Sequence, residues 1–439
     1  MAYLLSKRGN AKIEDGLVVK LSPDEAKNVD RLSKREIALR SRGLAISNPQ
    51  GVLVERVNKT FAQHYYPLSI TDYAEAAYKN EKSNQQFPIL SIDAHDVIGC
   101  DFKCQDCLSH GGLNVQSLGI HNFDLPIELY THILSEISNF SSKRGFSGVK
   151  FEQSGEGNPD IFPKRAELIR LSKQRFGMNP VYVTTGSKAD EDLLESLAEN
   201  ASFVRFSFPG LDQRSYNMYS GQSHYLFNDA IEKIKKVIKK RGTYKRERDL
   251  LIGIRAPLRP EHEYLYSDFA KKIKDLGADA VQFVKILIPE DTGLAEHLLS
   301  EKAREDIIKA KSLSGNDFSV ALPHELDYIY YGRAIKDKES FPDVCYSSYI
   351  HPVLTGRDLF VCTMNEKIYS LNYSFGRFTG RKGEIEDFLS KDNLARMSKD
   401  IPKSCNACCS LFDNLLINKV KQITRKKINE ELKFYEVIE

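Results

Sequence analysis

Between residues 88 and 312 the sequence alternates six times between a strand-like run and a helix-like run, and this alternation constrains the fold more than any other feature. The strand-like runs cover 88–95, 148–154, 180–186, 203–208, 250–256 and 280–288. The amphipathic runs that follow them predict helices at 125–143, 163–175, 189–199, 226–241, 262–276 and 298–312. Strands that alternate with helices form a parallel sheet covered by helices, and right-handed crossovers curl such a sheet into a barrel. We therefore predict an α/β fold, a partial (β/α)6 TIM-like barrel.

Segments of different character flank this alternation, so we expect three domains: a small N-terminal domain at 1–87, the barrel at 88–315 and a C-terminal domain at 316–439. In the first of them, runs at 16–21 and 51–57 predict strands on either side of a basic helix at 23–42. The third has shorter and more irregular signals and holds five of the eight cysteines.

Composition limits the partners and the compartment that we expect. Of the 439 residues, 41% are hydrophobic and 28% charged, which suits a globular chain with a large core. A formal net charge of +3 gives no reason to expect nucleic acid as a partner. The sequence has no run of about 18 apolar residues, and the apolar run near its start is too short for a secretory signal. We therefore expect no membrane span and a cytoplasmic location, where clustered thiols are more often metal ligands than disulfides.

Three cysteines directly follow the first predicted strand. Cys100, Cys104 and Cys107 form a CX3CX2C motif, whose thiolates can hold three irons of an iron–sulfur cube and leave the fourth iron without a protein ligand. A structural zinc site is the alternative; it needs a fourth ligand, and His95 or His110 is near enough in sequence to supply one.

A cysteine triplet of this kind at the end of the first strand of a β/α array resembles the radical S-adenosylmethionine (SAM) superfamily. The resemblance implies that Cys100, Cys104 and Cys107 hold a [4Fe–4S] cluster. It also implies that the amine and carboxylate of SAM chelate the fourth iron. One-electron reduction of SAM then gives methionine and a 5′-deoxyadenosyl radical. The family usually has an aromatic residue just before the third cysteine, where this chain has Asp106.

Later strand ends extend the resemblance. The run 154–159, SGEGNP, resembles the glycine-rich motif that holds the SAM amino group, with either Glu156 or Asn158 at its acidic position. The runs 184–187 and 204–207 resemble two further strand endings of the family. Arg255 is implied as a partner of the SAM carboxylate, with an exposed strand-end charge as the alternative. The residues implied to contact SAM are Phe102, Asp106, Ser154, Gly155, Glu156, Asn158, Thr185, Ser207 and Arg255.

The second cysteine group lies near the C-terminus. A hairpin with Gly356 in its turn would bring Cys345 and Cys362 together, and a CX2CC run follows at 405–409. Four thiolates indicate either zinc or a fully ligated iron–sulfur cluster. The pattern resembles the SPASM and twitch extensions of radical SAM enzymes, which implies an auxiliary [4Fe–4S] cluster. Its implied ligands are Cys345, Cys362, Cys405 and Cys408.

Cys409 is then the spare thiol. It could replace Cys408 as a ligand, donate a hydrogen atom to a substrate radical as in some epimerases of the family, or simply pack in a core.

Together these features predict an enzyme that cleaves SAM and abstracts hydrogen from a peptide or another natural product, with oxidation, cross-linking or epimerisation as the outcome. The N-terminal domain would bind a substrate or leader peptide, and a flavodoxin or ferredoxin would supply electrons. One alternative is a dehydrogenase or epimerase of a sugar or aminocyclitol. Another is a zinc- or cluster-binding scaffold without catalysis.

Overall fold

The computed structural model describes only part of the chain. The described residues are 2–6, 9–14, 17–20, 76–77, 80, 86–104, 107, 125–225, 227–246, 249–259, 262–284, 286–287, 300–315, 317–322, 330–331, 345–361, 374–390, 392–394, 417 and 421.

The chain begins with a small antiparallel sheet of three strands in sequence order. They are β1 (Ala2–Ser6), β2 (Gly9–Glu14) and β3 (Leu17–Lys20). The strand predicted at 16–21 is confirmed by β3, whereas β1 and β2 were not predicted. The helix at 23–42 and the strand at 51–57 lie outside the described residues.

The six predicted barrel strands are confirmed, and they lie side by side in parallel. They are β4 (Ser91–Gly99), β5 (Lys150–Gly157), β6 (Asn179–Thr184), β7 (Phe203–Ser207), β8 (Leu251–Pro257) and β9 (Ala280–Val284). Neighbours in sequence are also neighbours in the sheet. All strands therefore point their carboxyl ends to the same edge, which is where ligands bind in folds of this type.

A helix follows each of these strands, as predicted. The crossover helices are α1 (Ile127–Lys143), α2 (Arg165–Gln174), α3 (Glu191–Asn200), α5 (Phe227–Thr243), α6 (Tyr266–Asp275) and α7 (Glu301–Ser312). A further helix, α4 (Gln213–Ser220), precedes α5 and was not predicted. Asp212 begins it with a capping box, because its carboxylate accepts the backbone N–H of Ser215 at 2.7 Å.

The sheet continues on both sides of the six strands. On one side, β11 (Ser319–Ala321) adds to β9 in parallel. The strands β10 (Ile286–Leu287) and β12 (Tyr330–Tyr331) form a separate two-stranded parallel sheet. On the other side, β13 (Val353–Thr355) adds to β4 in parallel, followed by β14 (Asp358–Phe360) and β15 (Ser374–Arg377) in antiparallel order. The ten-stranded sheet is not closed. The division of the chain into three domains stays a prediction, and residues 319–377 contribute strands to the barrel sheet.

The β13–β14 hairpin has Gly356 in its turn at φ 59°, which confirms the predicted hairpin. Two short helices, α8 (Ser347–Ile350) and α9 (Glu384–Phe388), lie before and after the hairpin strands.

Alternating side chains give the sheet an apolar outer face and an inner face that carries several charged groups. Val204, Phe206, Ile252, Ile254 and Val281 are fully buried in a core with the crossover helices. Their strand neighbours point the other way, because successive side chains of a strand alternate between its two faces. The inner face of the barrel therefore carries charged side chains such as Arg205 and Arg255, beside apolar ones such as Phe203. Among the described helices, none is both long enough and apolar enough to cross a membrane.

Candidate active site

The three cysteines of the CX3CX2C motif lie on the loop that leaves β4 at the carboxyl edge of the sheet. Gly99 ends β4 at φ 125°, a conformation open to glycine, and turns the chain into the loop. Cys100, Cys104 and Cys107 are all half-buried. Within the loop, the backbone N–H of Phe102 donates to the Sγ of Cys100 at 3.4 Å and that of Cys107 to the carbonyl of Cys104 at 3.2 Å.

The end of α4 holds this loop in place. The backbone N–H of Lys103 donates to the carbonyl of Ser220 at 2.9 Å. Gly221, at φ 61°, lies so close that a Cβ on it would come within 2.8 Å of the Cβ of Lys103. Phe102 is buried against Tyr216 and Tyr225, with ring centroids 6.3 and 6.1 Å away. The loop is therefore anchored by backbone and by an aromatic cluster.

The glycine-rich run after β5 packs directly on the start of the cysteine loop. Gly157 pairs with Gly99, and a Cβ built on Gly157 would lie 1.7 Å from the Gly99 carbonyl oxygen. No side chain fits there, so only glycine at this position allows β4 and β5 to stay paired up to their carboxyl ends.

Asn158, next in sequence, connects three strand ends through its side-chain amide. Its Nδ2 donates to Asp101 in the cysteine loop at 2.8 Å and to Ser187 after β6 at 2.7 Å. Its Oδ1 accepts the backbone N–H of Asp160 at 3.2 Å. Asn158 is almost fully buried, and three protein groups use its amide. Its role in contacting SAM stays a prediction.

The end of β6 is ordered by hydrogen bonds of its own. The Thr184 hydroxyl donates to Asp160 at 2.6 Å and accepts the backbone N–H of Gly186 at 2.6 Å. The Thr185 hydroxyl donates to Ser187 at 3.0 Å. Thr185 is thus at the same edge as the cysteine loop, three hydrogen bonds from Asp101 by way of Ser187 and Asn158.

The donor set of the cysteine loop suits an iron–sulfur cluster. Burial raises the pKa of the Cys100 thiol to about 11, so a thiolate there needs a strong neighbouring positive charge such as iron.

The hydroxyls of Tyr216 and Tyr225 are buried beside the loop and, within the part of the chain described, have no hydrogen-bond acceptor. Burial, and after it the Cys104 thiol, raises the pKa of Tyr216, so both the phenol and the thiol lie in a site of low polarity. A bound group with acceptor atoms would satisfy these donors.

No group of three or more His, Cys, Asp and Glu side chains among the described residues is drawn together tightly enough to hold a metal ion. His95 is buried in the barrel interior, and burial lowers its pKa to about 4. It is not grouped with the three thiols as a fourth ligand. His110 lies outside the described residues.

Below the cysteine loop, β4 and β5 carry charged side chains into the barrel. Asp93 and Glu152 are directly opposite each other in the sheet. The Nζ of Lys150 lies 2.6 Å from Glu152 and 3.8 Å from Asp93. Burial, and after it the charge of Glu152, raises the pKa of Asp93 to about 7.

Two arginines face this acidic pair from β7 and β8. The pKa of Arg255 is lowered to about 9, mainly by burial and secondly by the charge of Arg205. The charge of Glu152 opposes this shift in part. The Arg205 guanidinium likewise lowers the pKa of Asp93. The interior therefore holds a cluster of interacting charges reaching across four strands.

The predicted site residues separate into those that the structure brings together and those that it leaves out. Ten of them lie at the carboxyl edge of the sheet or close to it on the inner face. Phe102 and Asn158 are buried there, and the others are half-buried: Cys100, Cys104, Cys107, Ser154, Gly155, Thr185, Ser207 and Arg255. Cys345 is buried in a core with α1 and the β14 strand, away from the solvent. Asp106, the side chain of Glu156, Cys362, Cys405, Cys408 and Cys409 lie outside the described residues.

Sequence reasoning missed the residues that support this site. Asp101 and Ser187 were not singled out, nor were Tyr216, Tyr225 or the interior charges Asp93, Glu152 and Arg205. One signal was present, because Asp93, Lys150, Glu152 and Arg205 alternate with apolar residues in their strands. Such alternation also fits a solvent-facing sheet, so it could not assign them to a barrel interior.

Known structures share this architecture. Streptococcus suis SuiB bound to S-adenosylmethionine superposes with a TM-score of 0.51 at 12% identity, covering 90% of this chain and 89% of that one. Streptococcus suis SuiB bound to the precursor peptide SuiA gives 0.50 at 14% identity, covering 93% and 94%. This chain has the radical SAM fold.

The superposition on native anSMEcpe with bound AdoMet and the Kp18Cys peptide has a TM-score of 0.48 at 16% identity and covers 71% of this chain and 83% of that one. No protein-family model matches the sequence, and no curated protein sequence is similar to it.

Proposed function

We propose that this protein is a radical SAM enzyme that abstracts hydrogen from a peptide or another natural product. The observation that carries the proposal is the position of Cys100, Cys104 and Cys107: three half-buried thiols on one loop, at the carboxyl end of the first strand of an open parallel barrel. The barrel edge at which they lie is where this fold places its ligands.

The three thiols would hold a [4Fe–4S] cluster that leaves one iron for SAM. When bound, the cluster supplies the electron that cleaves SAM to methionine and a 5′-deoxyadenosyl radical. The chain's own contribution is to fix the loop. Lys103 ties it to α4 at Ser220, and Asn158 ties it to the end of β6 through Asp101 and Ser187. A loop held from two sides keeps its thiols in place when an electron is added.

SAM would lie along the carboxyl edge, contacted by residues from successive strand ends. Ser154 and Gly155 on β5, Thr185 after β6 and Ser207 on β7 are half-buried and available there. The aromatic cluster around Phe102 excludes water from one side of the loop. Exclusion of water protects a radical from quenching and strengthens the electrostatic interactions that orient the substrate.

A peptide is the favoured substrate class for two reasons. The described N-terminal elements form a small separate antiparallel sheet, the kind of accessory element expected of a leader-binding domain. SuiB, which superposes on this chain over nearly the full length of both, is bound to a precursor peptide. The charged barrel interior gives such a substrate polar partners for its reacting segment.

The C-terminal cysteines would hold an auxiliary [4Fe–4S] cluster, with Cys345, Cys362, Cys405 and Cys408 as ligands. The hairpin with Gly356 in its turn supports this proposal, because it lies between Cys345 and Cys362 in the sequence. This cluster would accept an electron from the substrate or position it, with a flavodoxin or ferredoxin as the reducing partner. If Cys409 is the spare thiol, it could act as a hydrogen donor, and epimerisation would be one outcome.

Removing the three loop thiols tests the proposal. The variant with Cys100, Cys104 and Cys107 all changed to Ala should not cleave SAM after reduction, but should keep about one cluster's worth of iron on the auxiliary ligands. Anaerobic purification, iron analysis and a SAM cleavage assay measure both. Unchanged SAM turnover in this variant, or a colourless and iron-free wild-type protein, would contradict the assignment.

Single substitutions in the C-terminal cysteine group test which of its thiols are cluster ligands. Cys409→Ala should keep the iron content of the wild type, whereas Cys408→Ala should lose the auxiliary iron. The reverse result would exchange the two assignments.

A further inference from the structure

A short turn after the glycine-rich run contacts the end of the neighbouring strand β6 with two side chains. It is a single turn of 3-10 helix, Pro159–Ile161, which Asn158 caps. Asn158 reaches Ser187, beyond the end of β6, at 2.7 Å. Asp160 accepts the hydroxyl hydrogen of Thr184, the last residue of β6, at 2.6 Å. The turn therefore holds the end of β6 at two points.

The hydroxyl of Thr184 shapes the chain that follows it. Its oxygen accepts the backbone N–H of Gly186 at 2.6 Å, and Gly186 is in the left-handed conformation at φ 79°. A hydroxyl has one hydrogen and two lone pairs, so donating the hydrogen to Asp160 directs a lone pair to the N–H of Gly186. The carboxylate thus orients the hydroxyl, and the hydroxyl holds the bend of the chain after β6.

Thr185 lies between these two residues, so its position follows from theirs. Thr184 and Gly186 are buried, whereas Thr185 is half-buried. Tyr182 packs in the core with the crossover helices, and side chains alternate along a strand, so Thr185 faces the inner side of the sheet. In the proposed function this is the side on which SAM lies, and Thr185 contacts it.

A carboxylate is an unfavourable group at the position of Asp160. The residue is fully buried, and burial raises its pKa to about 6, against the hydrogen bond from Thr184, which lowers it. An apolar side chain would fill a buried position without this desolvation cost. Packing alone therefore does not explain an aspartate here, whereas its short bond to the Thr184 hydroxyl does.

We propose that Asp160 is a positioning residue for SAM: through the Thr184 hydroxyl it holds the bend that presents Thr185. The inference rests on the proposed function and concerns the affinity for SAM, not the binding of the cluster. Asn158 accepts the backbone N–H of Asp160, not its side chain, so a substitution at Asp160 leaves this contact of the cysteine-loop anchor in place.

Calorimetric titration of SAM into the anaerobically reconstituted protein tests this. Thr184→Val removes the hydroxyl at nearly constant volume, Asp160→Leu removes its acceptor, and Asp160→Asn keeps an acceptor oxygen. Thr131→Val is the matched control, because the Thr131 hydroxyl donates only within α1, to the Ile127 carbonyl at 2.8 Å. Iron content and melting temperature are measured for each protein.

We expect Thr184→Val and Asp160→Leu each to weaken SAM binding by about tenfold while iron content stays at the wild-type value, as for the loss of one orienting hydrogen bond. Asp160→Asn should stay within about threefold of the wild type, and Thr131→Val should bind SAM as the wild type does. The double variant Thr184→Val/Asp160→Leu should lose no more than about the larger single loss, because both changes break the same bond.

Several results would overturn the inference. Unchanged SAM affinity in Thr184→Val and Asp160→Leu, even with a lower melting temperature, would make the bond a purely structural one. Losses that add in the double variant would show that the two residues do not act as a pair. Iron loss in Asp160→Leu would assign Asp160 to the cysteine loop together with Asn158.

Two further outcomes keep the test decisive. If Asp160→Leu does not fold, Thr184→Val, the milder change at the other end of the same bond, decides alone. A wild type that binds no SAM contradicts the proposed function and this inference with it. A wild type that binds SAM no more tightly than Thr184→Val does contradicts the inference alone.

Discussion

Asn158 donates a hydrogen bond to Asp101, with Nδ2 and Oδ1 2.8 Å apart, and so joins the strand β5 to the cysteine loop that follows β4. The same nitrogen reaches Ser187 at 2.7 Å, so one buried amide connects three of the barrel's strand ends. The conformation of the loop therefore depends on a residue more than fifty positions away. In the proposed enzyme this connection is what keeps the three thiols in place.

Changing Asn158 to Asp should loosen the cysteine loop. The substitution removes both donated hydrogen bonds and puts a second carboxylate against Asp101, and an unsatisfied or repelled buried group costs about 1–3 kcal/mol. We expect reconstituted iron content to fall and the melting temperature to drop. Asn139→Asp is the control, since Asn139 makes one exposed hydrogen bond to Ser135 and should behave as the wild type. Full iron content in Asn158→Asp would show that the loop does not need this amide.

Changing Gly157 to Ala should destabilise the same edge of the sheet. In Gly157→Ala the new Cβ would meet the Gly99 carbonyl oxygen at 1.7 Å, so the ends of β4 and β5 must separate. Overpacking of this kind costs about 1–3 kcal/mol or more in unfolding free energy. Urea unfolding measures it. Gly315→Ala is the matched control, because nothing lies within 4 Å of a Cβ at Gly315. Equal stability of the two variants would contradict the close approach.

Much of the fold could be predicted from the sequence because its signals are local. The six barrel strands and their helices recur as alternating patterns, and each observed strand lies within a few residues of its prediction. The elements missed include β1 and β2, the short strands β11 and β15, and the polar helix α4. Three or four residues are too few to show a period, so only the pairing of β11 with β9 and of β15 with β14 makes those two segments strands.

The candidate cluster ligands could be predicted from the sequence, but the residues that hold their loop in place could not. Cys100, Cys104 and Cys107 are marked by chemistry and spacing alone. The importance of Gly157 and Asn158 comes from contacts with Gly99 and Asp101, which the crossover through α1 brings close. No local pattern encodes the register between two strands separated by such a crossover.

The buried ion pair of Arg241 and Asp279 should be important for stability of the barrel. Asp279 is fully buried, accepts from the Arg241 guanidinium on α5, and also accepts the backbone N–H of Ile252 at 2.8 Å. Asp279→Ala leaves a buried guanidinium without its counter-charge, which costs about 3–5 kcal/mol. Urea unfolding checks this.

The control for that prediction is Asp275→Ala. Asp275 pairs with Lys271 at 2.9 Å on the exposed face of α6, and an exposed pair contributes about 1 kcal/mol or less. A loss at Asp279 no larger than the loss at Asp275 would mean that the buried pair is compensated by rearrangement.

Asp93 should make the stability of the protein depend on pH. Burial, and after it the charge of Glu152, raises its pKa from 3.8 to about 7. An acid with a higher pKa in the folded state than in the unfolded state binds its proton more tightly when folded. Its contribution to stability is therefore complete below the unfolded value and is lost as the pH rises through about 7.

Asp93→Asn isolates this effect, because asparagine stays neutral throughout. Relative to the wild type, the variant should gain unfolding free energy as the pH rises from about 4 to about 7, with urea unfolding at several pH values as the measurement. His95 contributes the opposite slope in that range, because burial lowers its pKa to about 4, but it does so in both proteins and cancels in the difference. Asp192→Asn serves as the surface control: its hydrogen bond with Arg170 lowers the pKa of Asp192, so any change there has the opposite sign. A difference between wild type and Asp93→Asn that does not vary with pH would show that Asp93 is ionised in the barrel at neutral pH and is matched by the cations around it.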